Sequence, residues 1–139
     1  WKPDIVHCSG WISHLVPLYL KKAFKNDPIF SDAKVVLSLY DEYPDSRFNP
    51  EMKSKIPVSG IKSKDLETFK TPDGINLAKL AIQYADAVIL GSESIRPELT
   101  EFSEKRGIPV LQYFPIDHPE GTYIQKFNDF YDKLLEQDA

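Results

Sequence analysis

The sequence lacks the features of several protein classes. It has one cysteine, Cys8, in 139 residues, which excludes an internal disulfide and a cysteine-based structural zinc site and suits a reducing cytosol. No apolar run approaches the roughly 20 residues that span a bilayer, and no signal peptide opens the chain. Lysine and arginine are scattered, and the net charge is −4. We therefore expect a cytoplasmic protein that binds neither a membrane nor nucleic acid.

Common ligand-binding and catalytic motifs are also absent. There is no Gly-x-Gly-x-x-Gly sequence, P-loop, Gly-x-Ser-x-Gly elbow or His-Glu-x-x-His zinc motif. We therefore expect no cofactor and no metal. The chain begins without methionine beside an apolar strand pattern and ends in a polar segment. This indicates truncation at the start and a natural terminus at the end.

What is present is an alternation of strand and helix patterns, in a chain long enough for one core. Short β-rich apolar runs lie at residues 4–8, 34–40, 87–90 and 110–113, with helical patterns between and after them and no hairpin signal. This order predicts an α/β fold, a three-layer Rossmann-like domain with about four parallel strands and right-handed helical crossovers.

Local signals predict where the helices begin and end. Ser13 and Asp73 are candidate N-caps, Gly107 is placed to end a helix, and Thr122-x-x-Gln125 matches a capping box. Residues 41–72 contain four prolines and no sustained periodicity. We expect this segment to be the most mobile part, cut first by proteases near its lysines.

Ligands of parallel sheets bind beyond the carboxyl ends of the strands. His7, Ser9, Trp11 and His14 surround the first such end. They indicate either a turn that faces a sugar or phosphate, or a packed His7, a space-filling Trp11 and an exposed His14. Spacing alone favours packing. Cys8 is interpreted as a small core residue rather than a nucleophile.

Two polar groups follow the middle strands. Asp41, Glu42 and Asp45 could perform acid/base chemistry or hold a divalent metal, although a solvated loop start is the simpler interpretation. Residues 92–94, Ser-Glu-Ser, are most simply helix-capping residues.

A resemblance adds to these inferences. Residues 2–20 contain a Pro-Asp-Ile-Val-His strand, a Gly-Trp-Ile turn and a Leu-x-Pro-x-Tyr-Leu helix. They resemble bacterial glycogen and starch synthases, in which a similar strand leads to an Asp-Trp-His turn and the same helix pattern. Residues 76–86, ending in Tyr-Ala-Asp, and the helix through Pro97-Glu98-Leu99 extend the similarity to about residue 105. It fades after Gly107.

The resemblance implies a GT-B glycosyltransferase that transfers glucose from ADP-glucose to an α-1,4-glucan, with retention and without a metal. Trp11 retains the family residue, and Tyr40-Asp41 occupy the family's His-Asn position, so these three are the candidate substrate-binding residues. The family's turn histidine falls at Ile12 and its aspartate at Gly10, so no catalytic residue is assigned. The family's phosphate loop and nucleotide-sugar domain are missing from the sequence.

Two functions therefore compete. Residues 1–139 can be the C-terminal half of the N-terminal domain of a glycogen/starch synthase-like enzyme, inactive alone, with α-glucan or nucleotide sugar as ligand. Alternatively, the chain is a degenerate, single-domain homologue that binds glucan or a partner protein without catalysis. A flavodoxin-like phosphate or nucleotide module is a third class, but the sequence lacks the loops for it.

Overall fold

The computed structural model describes residues 1–44, 47–116 and 121–137. Within them the strands form one parallel sheet in sequence order, and its members are β1 (Ile5–Ser9), β2 (Lys34–Leu39), β3 (Ala87–Leu90) and β4 (Val110–Leu111). β2 is buried on both faces, which explains its nearly continuous apolar sequence. Four parallel strands with flanking helices confirm the predicted Rossmann-like α/β fold.

Two helices cover one face of the sheet. Helix α3 (Gly74–Tyr84) begins where the Asn76 N–H donates to the Asp73 carboxylate at 2.8 Å, which confirms the predicted cap. Helix α4 (Pro97–Arg106) ends at Gly107, whose φ of 66° is left-handed, as predicted. The largest core cluster lies between these helices and the strands, with Leu37, Leu39, Val88, Ala78, Ile82 and Leu99 among its members.

Helix α5 (Thr122–Glu136) covers the other face. Phe127, Phe130, Tyr131 and Leu134 pack against strand residues Val36, Ala87 and Ile89. The predicted capping box is wrong, because Gly121 occupies the N-cap position and Thr122 is already helical. The Gln125 amide donates instead to Asp129, one turn along the helix, at 2.7 Å.

The segment after β1 begins with a tighter turn than predicted. Residues Trp11–Ser13 form a 3₁₀ turn, followed by α1 (Val16–Leu18) and a π-helical turn (Tyr19–Ala23). Because Ser13 lies within the first turn, its hydroxyl donates to the Gly10 carbonyl at 2.8 Å and does not cap α1. The Ser13 prediction was therefore wrong.

The described part of the long segment after β2, residues 41–44 and 47–72, contains folded structure. The sequence had led us to expect mobility here because the segment has no sustained periodicity. It contains helix α2 (Met52–Lys55) and a 3₁₀ segment (Ser63–Phe69). Its apolar side chains join a second core cluster with α1 and α3, and the buried ones are Ile56, Ile61, Leu66 and Phe69. The segment lacks periodic apolar residues, as the sequence indicated, but irregularly spaced ones are buried because short turns pack on two helices.

Charged groups support this packing. Buried Asp65 accepts the Lys62 N–H at 2.8 Å and pairs with Lys22 at 3.2 Å, so its carboxylate is fully engaged. The Lys62 N–H bond, followed by the Lys22 pair, holds the pKa of Asp65 below its usual value. No helix of the described residues is both long and apolar enough to cross a membrane.

Candidate functional site

The first turn after β1 presents an indole at the carboxyl edge of the sheet. Gly10 has a φ of 81°, a conformation that glycine adopts without strain, and the chain then enters the Trp11–Ser13 turn. Trp11 is 39% exposed and stacks on Phe48, with ring centroids 6.2 Å apart and 25° between planes. Trp11 is therefore neither a core residue nor a free surface residue, and its uncovered part remains available to a ligand.

Trp11 lines an open cleft with residues from two other strand ends. The cleft has a volume of about 420 Å³ and is lined by Trp11, Asp41, Glu42, Tyr43, Pro44 and Arg96. We name it the acidic cleft, since its two carboxylates outnumber the single guanidinium. Of the three predicted substrate-binding residues, Trp11 and Asp41 lie in it.

The hydroxyl of Ser92, just after β3, holds the start of this cleft wall. The Asp41 N–H donates to the Ser92 hydroxyl oxygen at 3.0 Å, which ties the end of β2 to the end of β3. The prediction that residues 92–94 cap a helix is wrong, because α4 begins later, with Arg96 at its N-cap position and no capping side chain. Ser92 is instead a positioning residue for Asp41.

Tyr40, the third predicted residue, lies beside a different cavity. Its hydroxyl is 3.2 Å from the Ser9 hydroxyl, and its ring lies so close to Gly91 that a Cβ at position 91 would overlap it. The ring lines a small cavity of about 30 Å³ with Gly91, Tyr113 and Phe127. The structure thus separates Tyr40 from the acidic cleft.

Two further cleft residues, Tyr43 and Arg96, were missed by sequence reasoning. The Tyr43 hydroxyl is buried without a hydrogen-bond partner among the described residues. Burial, followed by the nearby Asp41 carboxylate, raises the pKa of Tyr43 to about 12, and Arg96 acts in the opposite direction. The only available sequence signal for Arg96 was its position just before Pro97, at the start of a helix that follows a strand end.

His7 and Cys8 have structural roles. The His7 ring lies 2.6 Å from the Ser38 hydroxyl through Nε2 and 2.7 Å from the Tyr131 hydroxyl through Nδ1, so it links β1 to β2 and α5. Burial of part of the ring lowers the pKa of His7. Cys8 is buried, which raises the pKa of its thiol to about 11 and disfavours the nucleophilic thiolate. The interpretation of Cys8 as a core residue is confirmed, whereas His7 is an exposed residue that is held by two side-chain hydrogen bonds and is not packed in the core.

His14 contradicts its predicted exposure. Only 3% of the residue is exposed, and its Nδ1 has no hydrogen-bond partner among the described residues. Burial lowers the pKa of His14 to about 4, so the ring is neutral at pH 7. The 3₁₀ turn directs this side chain inward, which the sequence pattern did not reveal.

The acidic group after β2 contributes two carboxylates, Asp41 and Glu42, to the wall of the acidic cleft. Asp41 and Glu42 are exposed, and Asp45 lies outside the described residues. Within the described ranges, no three histidine, cysteine, aspartate or glutamate side chains come together as a metal-binding group.

Comparison with known proteins identifies the family. A family model described as the starch synthase catalytic domain matches residues 1–114, which include all four strands, the first turn and the acidic cleft. The chain belongs to the starch synthase catalytic-domain family. Helix α5 lies outside the matched residues.

Several glycogen synthases are similar to this chain. That of Chlorobaculum parvum is 32% identical over 108 residues, which cover 75% of this chain and 21% of the relative. The glycogen synthase of Clostridium botulinum strain Alaska E43 is 29% identical over 108 residues, which cover 76% of this chain and 23% of the relative. The chain thus spans about a fifth of the length of these curated relatives. No solved structure matches it.

The family motif Tyr-Ala-Asp has a structural explanation in this chain. The Tyr84 hydroxyl donates to the Asp65 carbonyl at 3.0 Å, which fastens the segment after β2 to α3. The Asp86 carboxylate accepts the Val35 N–H at 2.7 Å and pairs with Lys21 at 2.6 Å. These three interactions join α3 to the segment after β2, to β2 itself and to the turn after α1, and none of the three involves a lining residue of the acidic cleft.

Proposed function

We propose that residues 1–139 form the C-terminal half of the N-terminal domain of a cytoplasmic, glycogen/starch synthase-like glucosyltransferase. In this proposal the acidic cleft lies on the acceptor side of the enzyme and contacts α-glucan. The family match supports the proposal, and so does the position of the cleft at the carboxyl ends of parallel strands, where such sheets bind ligands.

The chemistry of the cleft suits a neutral sugar chain. The indole of Trp11 can cover the C–H face of a glucose ring, Asp41 and Glu42 can accept hydrogen bonds from hydroxyls, and Arg96 can donate them. A nucleotide sugar carries a diphosphate, which the two carboxylates repel. Among the described residues Arg96 is the one cation that lines the cleft, and Glu98 lies 3.9 Å from it, so Arg96 offsets this repulsion only in part.

We also propose that this chain is inactive by itself, and the observation that carries this part is the exposure of Ile12. Ile12 occupies the position of the family's turn histidine and is 83% exposed at the carboxyl edge. An isoleucine side chain can neither donate a hydrogen bond to a developing charge nor transfer a proton. We therefore propose that this chain alone transfers no glucose.

Glucose incorporation tests the proposal directly. The purified chain is incubated with radiolabelled ADP-glucose and glycogen, beside a complete glycogen synthase as positive control. We expect counts at the level of a no-protein control. Incorporation above that level by the chain alone contradicts the proposal.

The alternative is a non-catalytic homologue that binds glucan or a partner protein. Replacement of the family's turn histidine by Ile12 and of its His-Asn pair by Tyr40-Asp41 favours this alternative. The two functions separate when the parts that the sequence lacks are added in trans from a glycogen synthase, namely the first half of its N-terminal domain and its nucleotide-sugar domain. Restored incorporation supports the enzyme, whereas glucan binding without incorporation supports the non-catalytic homologue.

A further inference from the structure

A groove on the segment after β2 has the opposite charge to the acidic cleft. It has a volume of about 580 Å³, and its lining includes Arg47, Phe48, Asn49, Lys70 and Thr71. Among the residues that the structure describes, two cations and no carboxylate line it. We name it the basic groove. Because its positive charges are not neutralised within the groove, it attracts an anion.

The stacked rings of Trp11 and Phe48 lie between the basic groove and the acidic cleft. Trp11 lines the cleft, Phe48 lines the groove, and the two ring centroids are 6.2 Å apart. No described residue lines both. The two are therefore neighbouring sites with different chemistry, and binding in one does not require a ligand in the other.

Hydrogen bonds hold the walls of the basic groove in place. The Phe48 N–H donates to the Pro72 carbonyl at 2.7 Å, which joins the two stretches of chain that line the groove. The Asn76 side-chain amide donates to the Thr71 carbonyl at 3.0 Å and so fixes the second stretch to the first turn of α3. All the lining residues lie within 47–72, so a single internal segment builds the groove.

The polar groups of the groove are hydrogen-bond donors. The guanidinium of Arg47, the ammonium of Lys70 and the hydroxyl of Thr71 have no side-chain partner within the described ranges. The Asn49 Oδ1 accepts the Glu51 N–H at 2.9 Å, so the NH₂ of Asn49 is the group that remains for a ligand. Guanidinium and ammonium groups cannot accept hydrogen bonds, so the groove suits a ligand that only accepts them.

We propose that the basic groove binds a phosphate dianion, either free or carried on a small sugar. A phosphate group carries about two negative charges at neutral pH and several strong acceptor oxygens, which match the two cations and the donors beside them. Arg47 can bind two of these oxygens in parallel, and Lys70 adds a point charge. A neutral sugar needs acceptors for its hydroxyls, which these cations do not supply. The proposal goes beyond glucan binding in the acidic cleft and does not rest on it.

NMR titration of the isotope-labelled parent chain at constant ionic strength tests the proposal. The probes are inorganic phosphate, glucose-1-phosphate, glucose and acetate. We expect both phosphates at millimolar concentration to shift the amide signals of Arg47, Phe48 and Lys70, and to leave those of Asp41 and Arg96 in place. Glucose and acetate should bind several-fold more weakly. Equal affinity for the two phosphates identifies free phosphate as sufficient, and tighter binding of glucose-1-phosphate shows that the sugar also contributes.

Charge-removing variants provide matched comparisons. Arg47→Gln and Lys70→Gln should each lower phosphate affinity by about tenfold, because each removes a hydrogen bond between two charged groups. Lys64→Gln removes the same charge from an exposed residue of the same segment that does not line the groove, so it should bind phosphate like the parent.

Three results would overturn the proposal, and two of them need no variant. The first is a parent chain whose groove signals do not move with phosphate. The second is acetate or glucose binding as tightly as phosphate. The third is a loss of affinity in Lys64→Gln as large as that in Lys70→Gln, which would show that phosphate responds to net charge alone.

Discussion

The Ser92 hydroxyl accepts a hydrogen bond from the Asp41 backbone N–H at 3.0 Å, so the loop after the third strand positions a residue of the acidic cleft that follows the second strand. The two residues are 51 positions apart in the sequence. The shape of the cleft wall therefore depends on the alignment of two strand ends in the parallel sheet.

We predict that Ser92→Ala loosens this wall. Loss of one hydrogen bond should lower the free energy of unfolding by about 0.5–1.5 kcal/mol and weaken maltooligosaccharide binding several-fold. Urea unfolding and NMR titration measure the two effects. Ser94→Ala is the matched control, because exposed Ser94 is two residues away and does not line the cleft. Equal binding by both variants contradicts the positioning role.

We predict that Trp11 carries the glucan contact. Trp11→Ala should abolish the chemical-shift changes that millimolar maltoheptaose produces around Asp41 and Arg96. Its stability loss should stay below the roughly 3–5 kcal/mol of a fully buried aromatic truncation, because Trp11 is 39% exposed. Trp1→Ala, at a 98% exposed site that does not line the cleft, provides the matched control. Unchanged shifts in Trp11→Ala, or none in the parent, remove the glucan-binding proposal.

We predict that His14 makes the fold sensitive to acid. Its pKa is about 4 in the folded chain and about 6.5 when unfolded, so below pH 6.5 the unfolded state binds the additional proton. The stability contribution is complete above pH 6.5 and is lost as pH falls towards 4. Between pH 7 and pH 5 the parent should lose about 2 kcal/mol more than a His14→Leu variant.

Urea unfolding of both proteins at the two pH values gives this difference directly. NMR titration of the His14 ring protons provides a second readout in the folded state. A ring titrating near pH 6.5, or equal pH dependence of the two proteins, contradicts the buried neutral histidine.

We predict that the segment after β2 is part of the cooperative core. Phe69 is fully buried against residues of α1 and α3, so Phe69→Ala should destabilise the chain by about 3–5 kcal/mol. Val58→Ala, at a 47% exposed site in the same segment, should cost far less. Chemical denaturation measures both. If both variants lose a similarly small amount of unfolding free energy, the segment unfolds separately from the sheet and the prediction is wrong.

The sequence by itself determined the order of strands and helices, the parallel sheet and the family. Apolar runs such as 34–39 and 87–90 are long enough to identify buried strands, and the periodic apolar residues of α3 identify its helix. Asp73 and Gly107 were predicted correctly because each acts on the backbone within a few residues of itself.

Only the tertiary structure decided which side chains meet. Ser13 and Ser92 were expected to be caps, but the helices begin elsewhere, and each hydroxyl bonds to the group that the fold brings near. Phe69 and its neighbours are buried without a periodic pattern, because two helices 50 or more residues apart in the chain enclose them. Burial and hydrogen bonding across such separations depend on three-dimensional packing, to which local periodicity is insensitive.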